Sequence, residues 1–166
     1  MEKNTLSILV DNESGVLTRV SGLISRRGFN IDSLAVGETE QSGVSRITII
    51  VICDARALDQ IVFQLKKLVC VRQIEILAPS EAVCRELLLV KVRTCSDTRS
   101  DIVQIANIFR ARVIDMSPGS ITLEITGESD KTSALIELLA EYGVMEICRT
   151  GAVAIGRGAK TIYDMA

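Results

Sequence analysis

The chain has 166 residues and a formal net charge of −2, and 48% of its residues are apolar although only 3% are aromatic. Acidic and basic residues are interspersed, which excludes a basic stripe for nucleic acid, and no apolar run reaches the roughly 20 residues that span a bilayer. Because there is no histidine, Ser-His and Cys-His nucleophiles and Cys/His zinc sites are excluded, so we expect a binding or regulatory protein and not an enzyme.

The N-terminus and the cysteines together predict a cytoplasmic protein. Residues 1–5 contain no basic region followed by an apolar one, so no signal peptide is expected. The cysteines are odd in number, widely spaced and without a C-x-x-C pair. We therefore predict that all five are small core residues in a reducing compartment: Cys53, Cys70, Cys84, Cys95 and Cys148.

The first half of the chain follows the order βαββαβ. Apolar residues alternate where strands are predicted and recur at helical spacing where helices are predicted. Gly28 is placed to end the first helix, and Asp54 is placed to cap the second. The predicted elements are strand 6–10, helix 15–27, strand 30–37, strand 45–52, helix 55–68 and strand 71–77.

The second half repeats the same order after a linker that contains Pro79. Its predicted elements are strand 86–92, a helix from 101 to 109 or 110, strands 111–116 and 120–126, helix 131–141 and strand 144–149. The Gly-rich tail 150–166 is expected to add at most a short edge strand before fraying. The sequence thus predicts an α+β fold with two tandem ferredoxin-like βαββαβ domains, residues 1–78 and 86–166, joined by the linker 79–85.

Each predicted domain is small, with only about 80 residues. Its helices cover a single face of the sheet, so the other face or the sheet edges need a partner surface. We therefore expect a homodimer.

The first strand runs directly into the polar turn Asp-Asn-Glu-Ser-Gly at residues 11–15. A strand, a glycine turn and a helix N-terminus together present backbone N–H groups that suit a small carboxylate. The alternative is an ordinary connection in which Asn12 or Ser14 caps the helix. The counterpart turn 94–101 lacks glycine and carries acidic residues, so a ligand is expected in the first half only.

Six segments in both halves carry a resemblance to a known family. They are residues 12–17 (NESGVL), 27–34 (RGFNIDSL), 45–49 (SRITI), 86–92 (ELLLVKV), 108–111 (IFRA) and 114–118, from Ile114-Asp115 to Ser117-Pro118. The first half resembles an ACT domain, the amino-acid-sensing ferredoxin-like module. Over almost its whole length the chain resembles the small regulatory subunit of acetohydroxyacid synthase, also called acetolactate synthase.

The resemblance implies a subunit without catalytic activity or cofactor of its own. Such a subunit binds the large catalytic subunit, raises its activity and makes it sensitive to a branched-chain amino acid, usually valine. The large subunit carries thiamine diphosphate, FAD and magnesium. No nucleic-acid or membrane partner is implied.

The resemblance also implies an effector site shared between two chains. One chain supplies Asn12, Gly15, Val16 and Leu17, and the other supplies Asn30 and Ile31. Backbone N–H groups near Gly15 suit the carboxylate, the asparagine amide oxygens suit the ammonium group, and Leu17 and Ile31 suit an apolar side chain. The alternative is that Leu17 and Ile31 belong to the core and that Asn30 merely begins a strand.

Two departures from the family pattern lie close to this site. Glu38 stands where related chains often have proline, and Ala35 stands where some have threonine. Either difference is expected to affect effector preference or sensitivity. A stand-alone ACT tandem that regulates a different protein is the alternative function, although the sequence shows neither a helix-turn-helix nor a basic face.

Overall fold

The computed structural model describes residues 2–164, which divide into two compact units. One unit consists of the residues up to Cys84 together with those from Ala152 onward, and the other is Arg85–Gly151. Each unit has its own apolar core. Among the residues described, no helix is long and apolar enough to cross a membrane.

The first unit contains six principal elements in the predicted order. They are β1 (Glu2–Asp11), α1 (Val16–Arg26), β2 (Ile31–Glu38), β3 (Val44–Cys53), α2 (Ala55–Leu65) and β4 (Val71–Leu77). The strands form an antiparallel sheet in the order β2-β3-β1-β4. Strands β2 and β1 both pair antiparallel with β3, so they run in the same direction.

The second unit repeats this arrangement. Its elements are β5 (Ala82–Arg93), α3 (Arg99–Phe109), β6 (Arg112–Met116), β7 (Ser120–Gly127), α4 (Ser129–Leu139) and β8 (Val144–Arg149). The first three residues of β5 still belong to the first unit. Its strand order is β6-β7-β5-β8. Two ferredoxin-like α+β units are thus confirmed.

The predicted linker 79–85 has a regular structure. Pro79–Glu81 forms a short 3-10 helix, in which proline occupies the first turn and no backbone donor is lost. Strand β5 then begins at Ala82, four residues earlier than predicted.

The core of the first unit lies between its sheet and its two helices. It brings together three alternating residues of β1 (Leu6, Ile8, Val10), three of α1 (Val16, Val20, Ile24) and three of α2 (Leu58, Ile61, Leu65). Their spacing is the reason why these segments form strands and helices, since only that periodicity buries every apolar side chain on one face. Full burial of each such side chain contributes about 1.5–3 kcal/mol.

Helix α1 ends where the sequence predicts. Gly28 has a φ of 77°, its N–H donates to Ser25 O, and the N–H of Phe29 donates to Ile24 O. This pair of bonds is the Schellman motif, for which a left-handed residue is required. The motif turns the chain from α1 into β2 and leaves Asn30 at the start of that strand.

The C-terminal tail covers the face of the first sheet opposite the helices. It contains β9 (Val153–Gly156), which pairs with β5, and a 3-10 helix, Ile162–Asp164. Ile162 is 2% exposed and packs against Leu9 and Val44, while the N–H of Ala152 donates to Ser33 Oγ at 2.8 Å.

This tail differs from the prediction in two respects. The predicted second domain extended to residue 166, whereas the contacts place the chain from Ala152 onward with the first unit. An uncovered sheet face was also expected, and this is wrong for the first unit, because the tail lies on that face and the nearby Ser7 and Thr48 are buried. The apolar residues of the tail provide the cover that a second chain was expected to provide.

The cysteines are not all core residues. Cys53 and Cys70 are buried as predicted and Cys84 is partly buried, but Cys95 and Cys148 are exposed. Cys95 lies in the turn before α3, and Cys148 lies on β8 at the edge of its sheet. Neither position is covered by a helix.

Candidate functional site

The turn between β1 and α1 begins at Asp11, where a backbone hydrogen bond and an ion pair anchor the end of β1. The N–H of Asp11 donates to Cys70 O at 2.9 Å, and Asp11 Oδ1 lies 2.6 Å from Arg72 Nε. An ion pair this exposed adds little stability, so the backbone bond to Cys70 is what ties the end of β1 to the residue before β4.

Gly15 sets the geometry of the turn at its other end. It has a φ of 82° and a ψ of −5°, a left-handed conformation that strains any residue with a Cβ. A Cβ built on Gly15 meets no atom of this chain within 4 Å. Glycine is therefore required here by the backbone conformation, and the space beside it is open.

The first turn of α1 leaves backbone donors without a protein partner. Gly15 is the N-cap and no side chain caps the helix, so neither Asn12 nor Ser14 has the capping role considered above. Within residues 2–164 the N–H groups of Gly15 and Leu17 make no hydrogen bond. No acidic residue lies in the first turn of α1, so the positive end of the helix dipole is not neutralised by a carboxylate within that turn.

Helix α2 has the more usual arrangement, in which a side chain caps the helix N-terminus. Asp54 caps it as predicted, with Oδ1 accepting the N–H of Ala57 at 2.8 Å. The N-terminus of α2 is therefore closed by its own side chain, whereas that of α1 is open to an anion.

Val16 and Leu17 face in different directions. The Val16 side chain is 3% exposed and belongs to the core, and its N–H lies 3.4 Å from Glu13 O. Leu17 is 43% exposed on the first turn of the helix. Of the two, only Leu17 presents apolar surface to a ligand.

Asn12 is held at both its backbone and its side chain. Its N–H donates to Gly43 O at 2.9 Å, and its Nδ2 donates to Glu38 Oε1 at 3.0 Å. Both partners belong to the β2–β3 hairpin. Asn12 Oδ1 remains as an acceptor beside the turn.

Asn30 and Ile31 lie at the opposite end of the sheet. Ile31 pairs with Val51, which pairs with Asn4, and Asn4 lies seven residues before the end of β1 at Asp11. At about 3.3 Å per residue the two groups of predicted site residues are roughly 20 Å apart. They form one site only if a second chain supplies one of the groups.

Asn30 and Ile31 also differ in burial. Ile31 packs partly against the apolar core, whereas Asn30 is exposed. Asn30 lines a cavity of about 400 Å³ together with Gly28, Phe29, Ile52, Cys53, Asp54 and Ala57.

The counterpart turn of the second unit is closed by its own side chains. Thr98 Oγ1 accepts the N–H of Cys95 at 3.1 Å and lies 3.5 Å from Cys95 Sγ. This contact lowers the pKa of the Cys95 thiol. The backbone N–H of Cys95 therefore has a partner within the turn and is not available to a ligand.

Two residues beside the first turn were not predicted as site residues. Val36 and Glu38 alternate onto the helix-covered face of β2, because Val36 pairs with the core residue Ile47. Val36 is 47% exposed and Glu38 contacts Asn12. Two features of β2 could have placed both residues near Asn12. The alternation of β2 puts Val36 and Glu38 on the same face, and its direction, parallel to β1, brings its last residues to the end of the sheet at which β1 stops.

Comparisons with known proteins match both units. A family model described as the AHAS small subunit-like ACT domain matches residues 6–73, and one described as the small subunit of acetolactate synthase matches residues 85–158. A probable acetolactate synthase small subunit of Methanothermobacter thermautotrophicus is 48% identical, with 98% of each chain covered. The acetolactate synthase small subunit of Mycolicibacterium smegmatis is also 48% identical, over 96% of this chain and 94% of that protein.

A solved structure extends the likeness to three dimensions. The crystal structure of the acetolactate synthase small subunit from Thermotoga maritima superposes with a TM-score of 0.89 at 41% identity, and covers 96% of this chain and 100% of that one. Identity at this level across the whole length, in two units of matching fold, shows that the chain belongs to the family of acetolactate synthase small subunits.

Proposed function

We propose that this chain is a non-catalytic regulatory subunit that binds the large subunit of acetolactate synthase, raises its activity and makes it sensitive to valine. The observation that carries the regulatory part is the open first turn of α1, where Gly15 and Leu17 keep unpaired N–H groups beside the acceptor Asn12. Thiamine diphosphate, FAD and magnesium belong to the large subunit in this proposal, and the assembly is cytoplasmic.

The turn is suited to the carboxylate of an amino acid. A carboxylate accepts hydrogen bonds only, and the unpaired N–H groups of Gly15 and Leu17 are donors at the positive end of α1. The absence of a Cβ on Gly15 allows the ligand to approach the backbone closely.

The rest of the ligand meets an acceptor and an apolar surface. Asn12 Oδ1 accepts a hydrogen bond from the ammonium group, and the exposed parts of Leu17 and Val36 cover a short branched side chain. We assign a branched-chain amino acid because the resemblance to the family implies one, and its short apolar side chain suits the exposed surface of Leu17 and Val36.

A two-fold dimer through β2 would complete the site. Strand β2 lies at the edge of its sheet, so its outer backbone groups are available for pairing. In a symmetric antiparallel pair of Ile31–Glu38 strands, the first residue of one chain lies opposite the last residue of its copy. The Asn30 and Ile31 of one protomer then reach the Asn12 turn of its partner, and binding becomes coupled to dimer geometry.

An isosteric pair of substitutions tests the carboxylate assignment. Asn and Asp enter the left-handed region more readily than other residues with a Cβ, and they are nearly isosteric, so Gly15→Asn and Gly15→Asp impose the same backbone strain on the turn. A negative charge about 4 Å from the ligand carboxylate weakens binding, so Gly15→Asp should require at least about tenfold more valine than Gly15→Asn for half-inhibition. The measurement is acetolactate synthesis by the large subunit reconstituted with each variant.

Activation without valine provides the control. Both variants should raise the activity of the large subunit to the same extent, because they impose the same strain on the turn and differ only in charge. Equal valine sensitivity of the two variants would refute the carboxylate assignment. A wild-type chain that neither co-purifies with the large subunit nor activates it would refute the regulatory function itself.

A further inference from the structure

We propose that Glu38 is a positioning residue for the effector site. It holds the Asn12 side chain so that the amide oxygen, and not the amide nitrogen, faces the ammonium group of a bound amino acid. The inference rests on the proposed function and specifies how that site recognises the ammonium group.

The contact spans the width of β3. Glu38 pairs with Ser45, and Ser45 pairs with Val10, so the backbones of Glu38 and β1 are two strand spacings or about 10 Å apart. The Glu38 and Asn12 side chains span this gap together on the helix-covered face, where Asn12 Nδ2 donates to Glu38 Oε1 at 3.0 Å.

The chemistry of the pair determines the orientation of the amide. An ionised carboxylate accepts hydrogen bonds and donates none, so the atom that faces Glu38 has to be the Asn12 NH₂ group. Asn12 Oδ1 then points away from Glu38. Since an ammonium group donates and never accepts, the reverse orientation would present a second donor to it.

Glu38 also reduces the freedom of an exposed side chain. Asn12 is exposed, and without the contact its side chain would populate several rotamers. The backbone of Asn12 is already fixed by its bond to Gly43 O, so the contact with Glu38 leaves the side chain a single orientation. Binding then requires less ordering of the site, as expected for a preorganised acceptor.

Three variants at two neighbouring carboxylates separate hydrogen bonding from charge. Glu38→Ala removes the acceptor, whereas Glu38→Gln keeps one through its amide oxygen and removes the charge. Glu40→Ala is the matched control, because Glu40 is an exposed carboxylate in the same hairpin and takes no part in the hydrogen bond between Glu38 and Asn12. The probe is valine, titrated calorimetrically into the full-length chain.

We expect Glu38→Ala to raise the dissociation constant for valine about tenfold. Glu38→Gln and Glu40→Ala should stay close to wild type. In an Asn12→Ala background, Glu38→Ala should cause no further loss, because Glu38 acts through Asn12. Independent losses from the two substitutions, or an equal loss in Glu38→Gln and Glu38→Ala, would overturn the proposal.

Side-chain NMR gives a readout that does not depend on the ligand. The Asn12 NH₂ resonances of the chain without valine should shift in Glu38→Ala and remain in place in Glu40→Ala. Unchanged resonances in Glu38→Ala would also overturn the positioning role.

Different experimental results would refute the proposed function and the proposed role of Glu38. If wild-type chain binds no amino acid, alone or with the large subunit, the effector function fails and this inference fails with it. If wild type binds valine and Glu38→Ala binds it equally well, only the role of Glu38 is refuted.

Discussion

At the scale of single residues, the two halves of the chain use equivalent turns in different ways. The turn at Gly15 keeps its donors open, whereas the turn at Cys95 is closed by Thr98. The hydroxyl of Thr98 lies 3.5 Å from Cys95 Sγ and, together with backbone N–H groups, lowers the pKa of that exposed thiol. Cys53 is the opposite case, because burial raises its pKa.

These two thiols should differ in reactivity. The thiolate is the reactive form, so at pH 7.5 Cys95 should be alkylated by iodoacetamide well before Cys53. Thr98→Val should slow the reaction of Cys95 and move its pH profile to higher pH, because the hydrogen bond from the hydroxyl is lost. Peptide mass spectrometry over a time course at several pH values measures both effects.

Ser96 provides the control for that experiment. Its hydroxyl is adjacent to Cys95 in sequence but bonds to Asp97 Oδ1 at 3.0 Å. Ser96→Ala should therefore leave the reactivity of Cys95 unchanged. Alkylation of Cys53 as fast as that of Cys95 in the folded protein would contradict the burial found for Cys53.

At the scale of secondary structure, the N-cap of α2 makes a measurable contribution to the free energy of unfolding. Asp54 Oδ1 accepts the N–H of Ala57, one of the donors that a helix N-terminus leaves unpaired. Asp54→Ala should lower the free energy of unfolding by about 1 kcal/mol. Urea denaturation followed by circular dichroism measures this change.

Asp59 offers a matched substitution on the same helix. It is exposed in the interior of α2, so Asp59→Ala removes the same charge without removing a cap. Because alanine favours helix, this variant should be as stable as wild type or slightly more so. Equal destabilisation by the two variants would show that charge, and not capping, is responsible.

Local patterns were sufficient to predict most of these elements. The cap at Asp54 and the C′ glycine at Gly28 were predicted because residue type and apolar spacing agree at both positions. Helix α2 ends at Leu65 and not at residue 68, since Lys67 and Leu68 donate to carbonyls three residues back and turn the chain into β4. Helix spacing alone does not reveal where such a tightened turn begins.

The candidate site was only partly predictable for a related reason. The residues of the turn are adjacent in sequence, so their chemistry was visible. The bond between Asn12 and Glu38 joins residues 26 positions apart. It depends on which strands are neighbours in the sheet, and only the fold supplies that information.

At the scale of the whole molecule, the least predictable feature is the path of the tail. Residues 150–166 are Gly-rich and have little periodicity, so fraying was expected. Ile162 is nevertheless 2% exposed, and it packs on Leu9 and Val44 on the sheet face that the helices do not cover. The first unit thus includes two stretches of chain separated by the entire second unit.

This arrangement makes the last residues of the chain important for the stability of the first unit. Ile162→Ala should lower the free energy of unfolding by about 2–4 kcal/mol, since it opens a cavity above Leu9 and Val44. Ile155→Ala is the same substitution within the same tail, at a side chain that is 55% exposed, and should cost less than about 0.5 kcal/mol. Hydrogen exchange identifies which unit is affected. Amides of β1 and β3 should lose protection in Ile162→Ala while those around Leu88 in β5 keep it, and equal loss in both sheets would show that the two cores unfold as one.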